Sequence, residues 1–198
     1  MRLFFNYPIE EFHLREISRR AKVVPQNVKL YTSEFVDNGL FIRRVLGNMT
    51  LFRINPESDY LLKFFEFFEL QRKIEFISRN MKISRMLNEY IGNLIRLSNR
   101  EIQMIILFGS VARGGWTRGS DIDILIVSAE ENNNFTQIYK KAEEKTKPLL
   151  EISPIHVTIN KIIDGLEQNL EFYDELWRDR IIFYNEYLFW QIVKKANL

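Results

Sequence analysis

Hydrophobic and polar positions in the first 56 residues follow a helical rhythm and then a strand rhythm. Residues 14–22, LREISRRAK, place apolar side chains at helical spacing and basic ones elsewhere. Pro25 suits the first position of a second helix, and Gly39 suits its end. Two apolar runs then flank Gly47-Asn48, a pair typical of a two-residue hairpin turn. The pattern predicts helix, turn, helix and β-hairpin over residues 1–56.

The next stretch, residues 57–98, has a broad apolar face with helical periodicity. One straight helix of this length would span about 60 Å, so we expect a break near Asn80 or Gly92. Such a face is usually buried in a core or in a contact between two copies of a protein. We therefore expect a helical connector over residues 57–100, with homodimerisation left open.

From residue 101 onward, strands and helices alternate. Apolar runs that begin near Ile102, Asp121 and Ile152 are typical of strands, and a helix bounded by Pro148 lies between the second and the third. A last short strand is predicted over residues 180–184. This order predicts a small α/β or α+β domain over residues 101–198.

Charge and composition support this division. Residues 1–56 carry nine basic and five acidic side chains, whereas residues 101–198 carry 11 basic and 15 acidic ones, which suggests two modules with different partners. Because the chain has no cysteine, disulfides and thiolate metal sites are excluded and a cytoplasmic location is favoured. We expect no signal peptide and no contact with a membrane, since the chain has neither a leader pattern nor a long apolar stretch.

The clearest chemistry lies in residues 107–127, LFGSVARGGWTRGSDIDILIV. Asp121 and Asp123 project from the same face of a predicted strand, since alternate residues share a face. Two carboxylates about 6 to 7 Å apart repel each other unless a cation lies between them. Mg²⁺ suits this position because it prefers carboxylate and phosphate oxygens as ligands.

A phosphate-binding loop is expected just before these aspartates. Gly109 and Ser110 end one strand and open a short helix, where backbone N–H groups can approach a phosphate. Arg113 and Arg118 on the same loop would neutralise further phosphate charge. Trp116 either stacks on a base or covers the loop.

Together these residues resemble the signature of the polymerase-β-type nucleotidyltransferase superfamily, most closely its minimal branch. The shared features are Gly-Ser at one strand end, a ten-residue spacer, and the pair Asp121 and Asp123 on the next strand. The resemblance implies an α+β fold with a small mixed sheet flanked by helices, and it implies that the aspartates hold one or two Mg²⁺ ions. The nucleotide-binding residues expected from it are Gly109, Ser110, Arg113 and Ser120.

A third carboxylate of this family normally comes from the next core strand, where it binds a metal or accepts the proton of the attacking hydroxyl. Here the matching position of the strand ISPIHVTI holds Ser153. Glu151 lies two residues earlier and points to the same face. It is either the third catalytic residue beside Asp121 and Asp123 or an exposed residue at the strand start, which leaves turnover open.

The N-terminal elements resemble a winged helix-turn-helix domain, in which the second helix enters the major groove of double-stranded DNA and the hairpin contacts the backbone. In this helix we expect Val28, Tyr31 and Phe35 to face inward. The residues expected to face DNA are Gln26, Asn27, Lys29, Thr32 and Ser33 of the helix and Arg43 and Arg44 of the hairpin. The alternatives are a helical domain with a solvated basic face and a protein-interaction module.

Two functions follow from these resemblances. In the first, the protein is an enzyme that transfers a nucleoside monophosphate from an NTP to a hydroxyl of a protein, an RNA or a small molecule, coupled to a DNA-binding domain. In the second, it is a DNA-binding regulator or antitoxin-like protein whose nucleotidyltransferase domain turns over weakly and senses nucleotide or binds a partner. Because the minimal branch often works beside a helical protein in toxin–antitoxin pairs, a protein partner of that type is implied.

Overall fold

The computed structural model describes residues 1–117, 119–130, 134–168 and 171–196 of the 198-residue chain. The N-terminal unit has the predicted order of helices followed by a hairpin. Its elements are α1 (Arg2–Asn6), β1 (Phe12–His13), α2 (Leu14–Ala21), α3 (Pro25–Asp37), β2 (Phe41–Leu46) and β3 (Met49–Ile54). The three strands form an antiparallel sheet in the order β1-β3-β2.

The hairpin between β2 and β3 closes as the sequence predicts. Leu46 pairs with Met49 across the two residues Gly47 and Asn48. Gly47 has a φ of 57°, which lies in the left-handed region that glycine adopts without steric cost. The tip of the hairpin is exposed to solvent.

The buried face of α3 differs from the prediction at two positions. Thr32 is only 3% exposed, and its hydroxyl donates to the carbonyl oxygen of Val28 at 2.8 Å. Tyr31, which was expected to face inward, is 47% exposed. Because Thr32 follows Val28 by one helical turn, it shares the buried face. Its hydroxyl is hydrogen-bonded, so burying it costs little free energy. The expectation that Thr32 faces outward toward DNA was wrong.

Two long helices follow, α4 (Asp59–Arg79) and α5 (Met81–Leu97). The predicted break is confirmed at Asn80, where the backbone leaves the helical region with φ −130° and ψ 46°, whereas Gly92 lies inside α5. No helix in the described part of the chain is long and apolar enough for a membrane span. The side of α4 away from the core exposes an apolar stripe of Tyr60, Phe64, Phe67, Leu70 and Ile74.

The C-terminal part forms a mixed four-stranded sheet with helices on both faces. Its elements are β4 (Ile102–Leu107), α6 (Gly109–Arg113), β5 (Ile122–Ser128), α7 (Phe135–Thr146), β6 (Ile152–Thr158), α8 (Ile159–Glu167), α9 (Glu171–Asp179), β7 (Ile181–Tyr184) and α10 (Glu186–Lys195). The strand order is β6-β5-β4-β7. Only β5 and β6 run parallel among these described strands, while β4 is antiparallel to both of its neighbours.

Hydrophobic clusters cover both faces of this sheet. One cluster joins it to α5 and α7, with Leu94 and Phe135 among its buried members. The other contains Leu125 of β5 together with Phe52 of the N-terminal hairpin and Trp190 of α10. The core therefore continues from the N-terminal unit into the C-terminal sheet, and the division of the chain at residues 56 and 100 stays a prediction.

A buried ion pair ties the N-terminal helices to this sheet. Arg180, just before β7, and Glu69 of α4 are both fully buried, and their side chains meet at 2.6 Å. Arg180 also donates to the carbonyl oxygens of Phe5, at 2.8 Å, and of Trp177. Burial lowers the pKa of Arg180 to about 10, which still leaves it cationic at neutral pH. Burial raises the pKa of Glu69, against the opposing effect of the Arg180 charge.

Candidate active site

The predicted phosphate loop lies at one end of the C-terminal sheet, between β4 and β5. The backbone N–H of Phe108 donates to the carbonyl oxygen of Asp123 at 3.1 Å, which brings the two strand ends together. Gly109 then takes a φ of +72° and begins α6. A Cβ atom on Gly109 would lie 3.0 Å from Cγ of Asp123 and would overlap its Oδ2 atom. Glycine is therefore required here for its conformation and for its size.

The two aspartates lie beside this glycine, at the start of β5. Asp121 immediately precedes the strand, and Asp123 is its second residue. Burial raises the pKa of Asp123, and the charge of Asp121 raises it further, while Arg113 opposes the change. The carboxylates thus repel each other, and a hard divalent cation with oxygen ligands would relieve the repulsion. The carboxylates of Asp121 and Asp123 are suitable oxygen ligands for such an ion.

The third position of the set is neutral. Strand β6 runs parallel to β5 with Ser153 in register with Asp123. Glu151 precedes β6, and its carbonyl oxygen accepts from the N–H of Ile122 at 2.8 Å. Its charge acts on Glu143 of α7, whose pKa is raised by burial and then by Glu151. No group of three or more His, Cys, Asp or Glu side chains within the described ranges could hold a metal ion.

The loop between α6 and β5 is held by its own polar contacts. The N–H of Thr117 donates to the hydroxyl oxygen of Ser120 at 2.9 Å. The indole N–H of Trp116 donates to the side-chain oxygen of Asn80, at the break between α4 and α5, at 3.2 Å. Trp116 thus anchors the loop to the helical connector. Arg118, the second predicted phosphate ligand of this loop, lies outside the described residues.

Arg113, at the end of α6, is joined to the helix that precedes β7. Its guanidinium contacts the carboxylate of Asp179 at 2.6 Å. The same carboxylate accepts from Arg178 at 3.2 Å, and only 8% of the Asp179 side chain is exposed. Arg113 therefore lies near the aspartates with an anionic partner of its own, a contact that the sequence pattern did not predict.

Comparison with known proteins identifies the segment that contains this site. Residues 87–184 match the family model described as nucleotidyltransferase domain. This segment is a nucleotidyltransferase-type domain. It begins within α5 and ends with β7, so it contains every residue predicted around the two aspartates, while the N-terminal unit lies outside it.

Two individual proteins resemble parts of the chain. A Methanocaldococcus jannaschii protein named "putative protein adenylyltransferase" is 47% identical to this chain over 47 residues. The alignment covers 24% of this chain and 47% of the relative, so the chain spans about half the length of the relative. A solved structure described as a toxin-antitoxin with AMP-PNP is 20% identical, covers 55% of this chain and 90% of its own, and superposes with a TM-score of 0.29.

Outside the nucleotidyltransferase-type domain, most residues predicted to face DNA are exposed. Four of them lie on the open side of α3, namely Gln26, Asn27, Lys29 and Ser33. Arg43 and Arg44 of β2 are exposed as well, but Arg44 donates to Glu11. Thr32 is the buried exception described above.

Sequence reasoning missed the contacts of the charged residues between α9 and β7, at the end of the nucleotidyltransferase-type domain. In the sequence WRDRIIF, Arg178, Asp179 and Arg180 read as an exposed charge cluster before a strand. Their partners are distant, because Arg113 lies 66 positions from Asp179 and Glu69 lies 111 positions from Arg180. No local pattern carries such a signal.

Proposed function

We propose that the protein is a Mg²⁺-dependent nucleotidyltransferase that moves a nucleoside monophosphate from an NTP to a hydroxyl group. The observation that carries the proposal is the contact between Gly109 and the Asp123 carboxylate. It brings the start of α6, where the first backbone N–H groups have no partner within the helix and no side-chain cap, next to the acidic pair. The match of residues 87–184 to the nucleotidyltransferase domain family supports the same chemistry.

In this proposal the chain positions the two reactants. The first-turn N–H groups at Gly109 and Ser110 bind phosphate oxygens of the NTP, and Ser120 holds the loop that closes over them. Arg113, kept in place by Asp179, contributes positive charge beside Asp123. Holding the α-phosphate and the hydroxyl in one orientation lowers the entropic part of the barrier to in-line displacement.

Asp121 and Asp123 are the proposed ligands of the divalent cation. When bound, Mg²⁺ would polarise the α-phosphate and stabilise the negative charge of the leaving pyrophosphate. Burial and then the charge of Asp121 raise the pKa of Asp123, and the repulsion between the two carboxylates favours cation binding. A role for Glu151 as the third carboxylate stays a prediction.

The acceptor that we propose is a protein hydroxyl. The support is the relative from Methanocaldococcus jannaschii, whose 47 aligned residues are 47% identical to this chain and whose name describes protein adenylylation. ATP is accordingly the nucleotide to test first. Adenylylation would add one phosphodiester linkage to the target protein and release pyrophosphate.

Isothermal titration calorimetry with ATP tests the site itself. In the presence of Mg²⁺ we expect binding to the native protein and a loss of at least about tenfold in affinity for Asp121→Asn/Asp123→Asn. Asp164→Asn, which removes an exposed carboxylate of α8 in the same domain, is the matched control and should bind as the native protein does. Equal ATP affinity in all three proteins would contradict the assignment.

We further propose that residues 1–56 form a winged helix-turn-helix unit that binds double-stranded DNA. The element order from α1 to β3 and the sheet order β1-β3-β2 support it. Exposed polar residues of α3 would then enter the major groove, and the arginines of β2 would contact phosphates.

The neutral residue beside Asp123 favours a second candidate function. With Ser153 at the third position, the domain would retain nucleotide and metal binding but lack a well-placed general base. The protein would then be a DNA-binding regulator of antitoxin-like type that senses nucleotide or binds a protein partner. Metal-dependent ATP binding without transfer of label to any protein would support this function over the first.

A homodimer is also proposed, through the exposed apolar stripe of α4. Five large apolar side chains on one helix face are costly to leave in water. Light scattering on Phe67→Glu, at the centre of the stripe, should report a monomer where the native protein is a dimer. A native protein that is itself monomeric at micromolar concentration would contradict the proposal.

A further inference from the structure

An arginine-rich cleft lies next to the candidate active site, on the side of α6 that faces the end of α4. Its volume is about 260 Å³, and it lies between α4, α6 and the junction of α9 with β7. Its apolar lining residues include Phe76, Ala112 and Ile181, and Gly114 also lines it. Four arginine side chains converge on this cleft: Arg72, Arg79, Arg113 and Arg178.

Arginines outnumber carboxylates among the described residues that line the cleft. Two carboxylates, Glu75 and Asp179, accompany the four arginines there. Asp179 is shared between Arg113 and Arg178. Guanidinium groups that converge in this way repel one another, so an anion in the cleft would be stabilised.

Two of the arginines have donors that no carboxylate occupies. Arg72 donates to neutral acceptors, the carbonyl oxygen of Arg180 at 3.1 Å and the side-chain oxygen of Asn6 at 2.5 Å. The side chain of Arg79, at the end of α4, is exposed and makes no hydrogen bond or ion pair with any residue that the structure describes. The exposed Arg79 therefore keeps its positive charge available to a ligand, and the more buried Arg72 adds positive charge beside it.

We propose that this cleft is a second anion site, which binds a chain of two or three phosphate groups without a divalent cation. Planar guanidinium groups match phosphate oxygens in pairs, and four of them around one hollow suit more than one phosphate. A neighbouring hollow of about 230 Å³ shares Arg72 and Glu75 with the cleft and adds Arg2.

Two sources could supply this ligand. One is the pyrophosphate that nucleotidyl transfer releases beside Asp123, an assignment that rests on the proposed function. The other is the phosphate chain of a separately bound nucleoside triphosphate. Arg113 joins the two sites, since it lines the cleft and also acts on Asp123.

Calorimetric titration with inorganic pyrophosphate in low-salt buffer containing EDTA tests the cleft. The native protein should bind pyrophosphate, and Arg79→Gln should bind it at least about tenfold more weakly, since one charge-assisted contact is lost. Arg85→Gln removes an exposed arginine of α5 outside the cleft and should leave the affinity unchanged. No binding by the native protein, or equal binding by Arg79→Gln, would overturn the proposal.

Asp121→Asn/Asp123→Asn separates this site from the metal site. The variant should bind pyrophosphate in EDTA at least as tightly as the native protein, even where Mg²⁺-dependent ATP binding is lost. Loss of metal-free binding in this variant would assign the anion to the aspartate site and overturn the second site. Titration with ATP in the same buffer distinguishes the two sources of the ligand. If ATP binds more tightly than pyrophosphate, with the same dependence on Arg79, the ligand is a nucleoside triphosphate. If ATP binds more weakly, the ligand is the released pyrophosphate.

Discussion

Gly109 lies directly against the carboxylate of Asp123, with no space for a side chain between them. The contact joins the end of β4 to the start of β5, and it sets the distance between the phosphate loop and the acidic pair. Two residues that are 14 positions apart in the sequence are thus brought into close contact. The positive φ of Gly109 adds a second reason why only glycine fits.

Gly109→Ala should therefore damage both stability and binding. The new Cβ atom would overlap Oδ2 of Asp123 in a backbone conformation that alanine rarely adopts. We expect a loss of about 1 to 3 kcal/mol in the free energy of unfolding, measured by chemical denaturation, and weaker Mg²⁺-ATP binding.

Gly115→Ala is the matched control for this substitution. A Cβ atom at Gly115 meets no described atom within 4 Å, and its φ is not in the left-handed region. It should unfold within about 0.5 kcal/mol of the native protein. If Gly109→Ala behaved like Gly115→Ala, the close approach to Asp123 would not be needed.

The buried pair of Glu69 and Arg180 should make a large contribution that depends on both partners. Glu69→Leu leaves the Arg180 guanidinium buried without its carboxylate, which should cost about 3 to 5 kcal/mol in unfolding free energy. The double variant Glu69→Leu/Arg180→Met removes both charges and should recover part of this loss, because apolar residues often replace a buried ion pair without large cost. Additive losses in urea denaturation would contradict the coupling.

Ser153→Asp should strengthen metal binding, because the register of β5 and β6 sets this residue beside Asp123. A third carboxylate at this position should raise Mg²⁺ affinity by about tenfold and lower the stability of the metal-free protein through like-charge repulsion. Ser153→Asn, neutral and of similar size, should do neither. Calorimetry with Mg²⁺ and thermal unfolding in EDTA measure the two effects.

Glu151→Gln gives the complementary measurement. If the charge of Glu151 acts on Glu143 of α7 and not on the metal, its removal should change Mg²⁺ affinity by less than about twofold. A loss as large as that of Asp121→Asn would instead make Glu151 the third ligand.

Local sequence patterns predicted the elements well because periodicity, turn residues and helix breakers are local properties. The hairpin at Gly47-Asn48 and the helix break at Asn80 are confirmed in this way. The inward face of α3 was predicted less well, since spacings of three and four residues both suit a helix, and packing selected Thr32 over Tyr31.

Local sequence patterns do not predict contacts between charged residues that are far apart in the sequence. Arg113 with Asp179, and Glu69 with Arg180, depend on how β7 joins the sheet beside β4, which no single segment specifies. The aspartate pair was predictable because its members are two residues apart at the start of β5, whereas the neutral third position needed the register of β6.

Arg43 should contribute more to DNA affinity than Arg44. Arg44 already donates to Glu11, whereas Arg43 is exposed on the same strand. Arg43→Ala should weaken duplex binding and reduce the slope of log affinity against log salt by about one, as the loss of one phosphate contact requires. Fluorescence anisotropy over a salt series compares it with Arg44→Ala, and unchanged slopes in both variants would argue against the hairpin as a DNA contact.

Transfer of label from ATP tests nucleotidyl transfer most directly. The native protein is incubated with Mg²⁺ and cell extract and with ATP labelled at either the α- or the γ-phosphate, in parallel with Asp121→Asn/Asp123→Asn. We predict that proteins of the extract acquire the α-label and not the γ-label, and that the double variant transfers neither. Transfer of the γ-label, or equal α-labelling by the double variant, would contradict nucleotidyl transfer at Asp121 and Asp123.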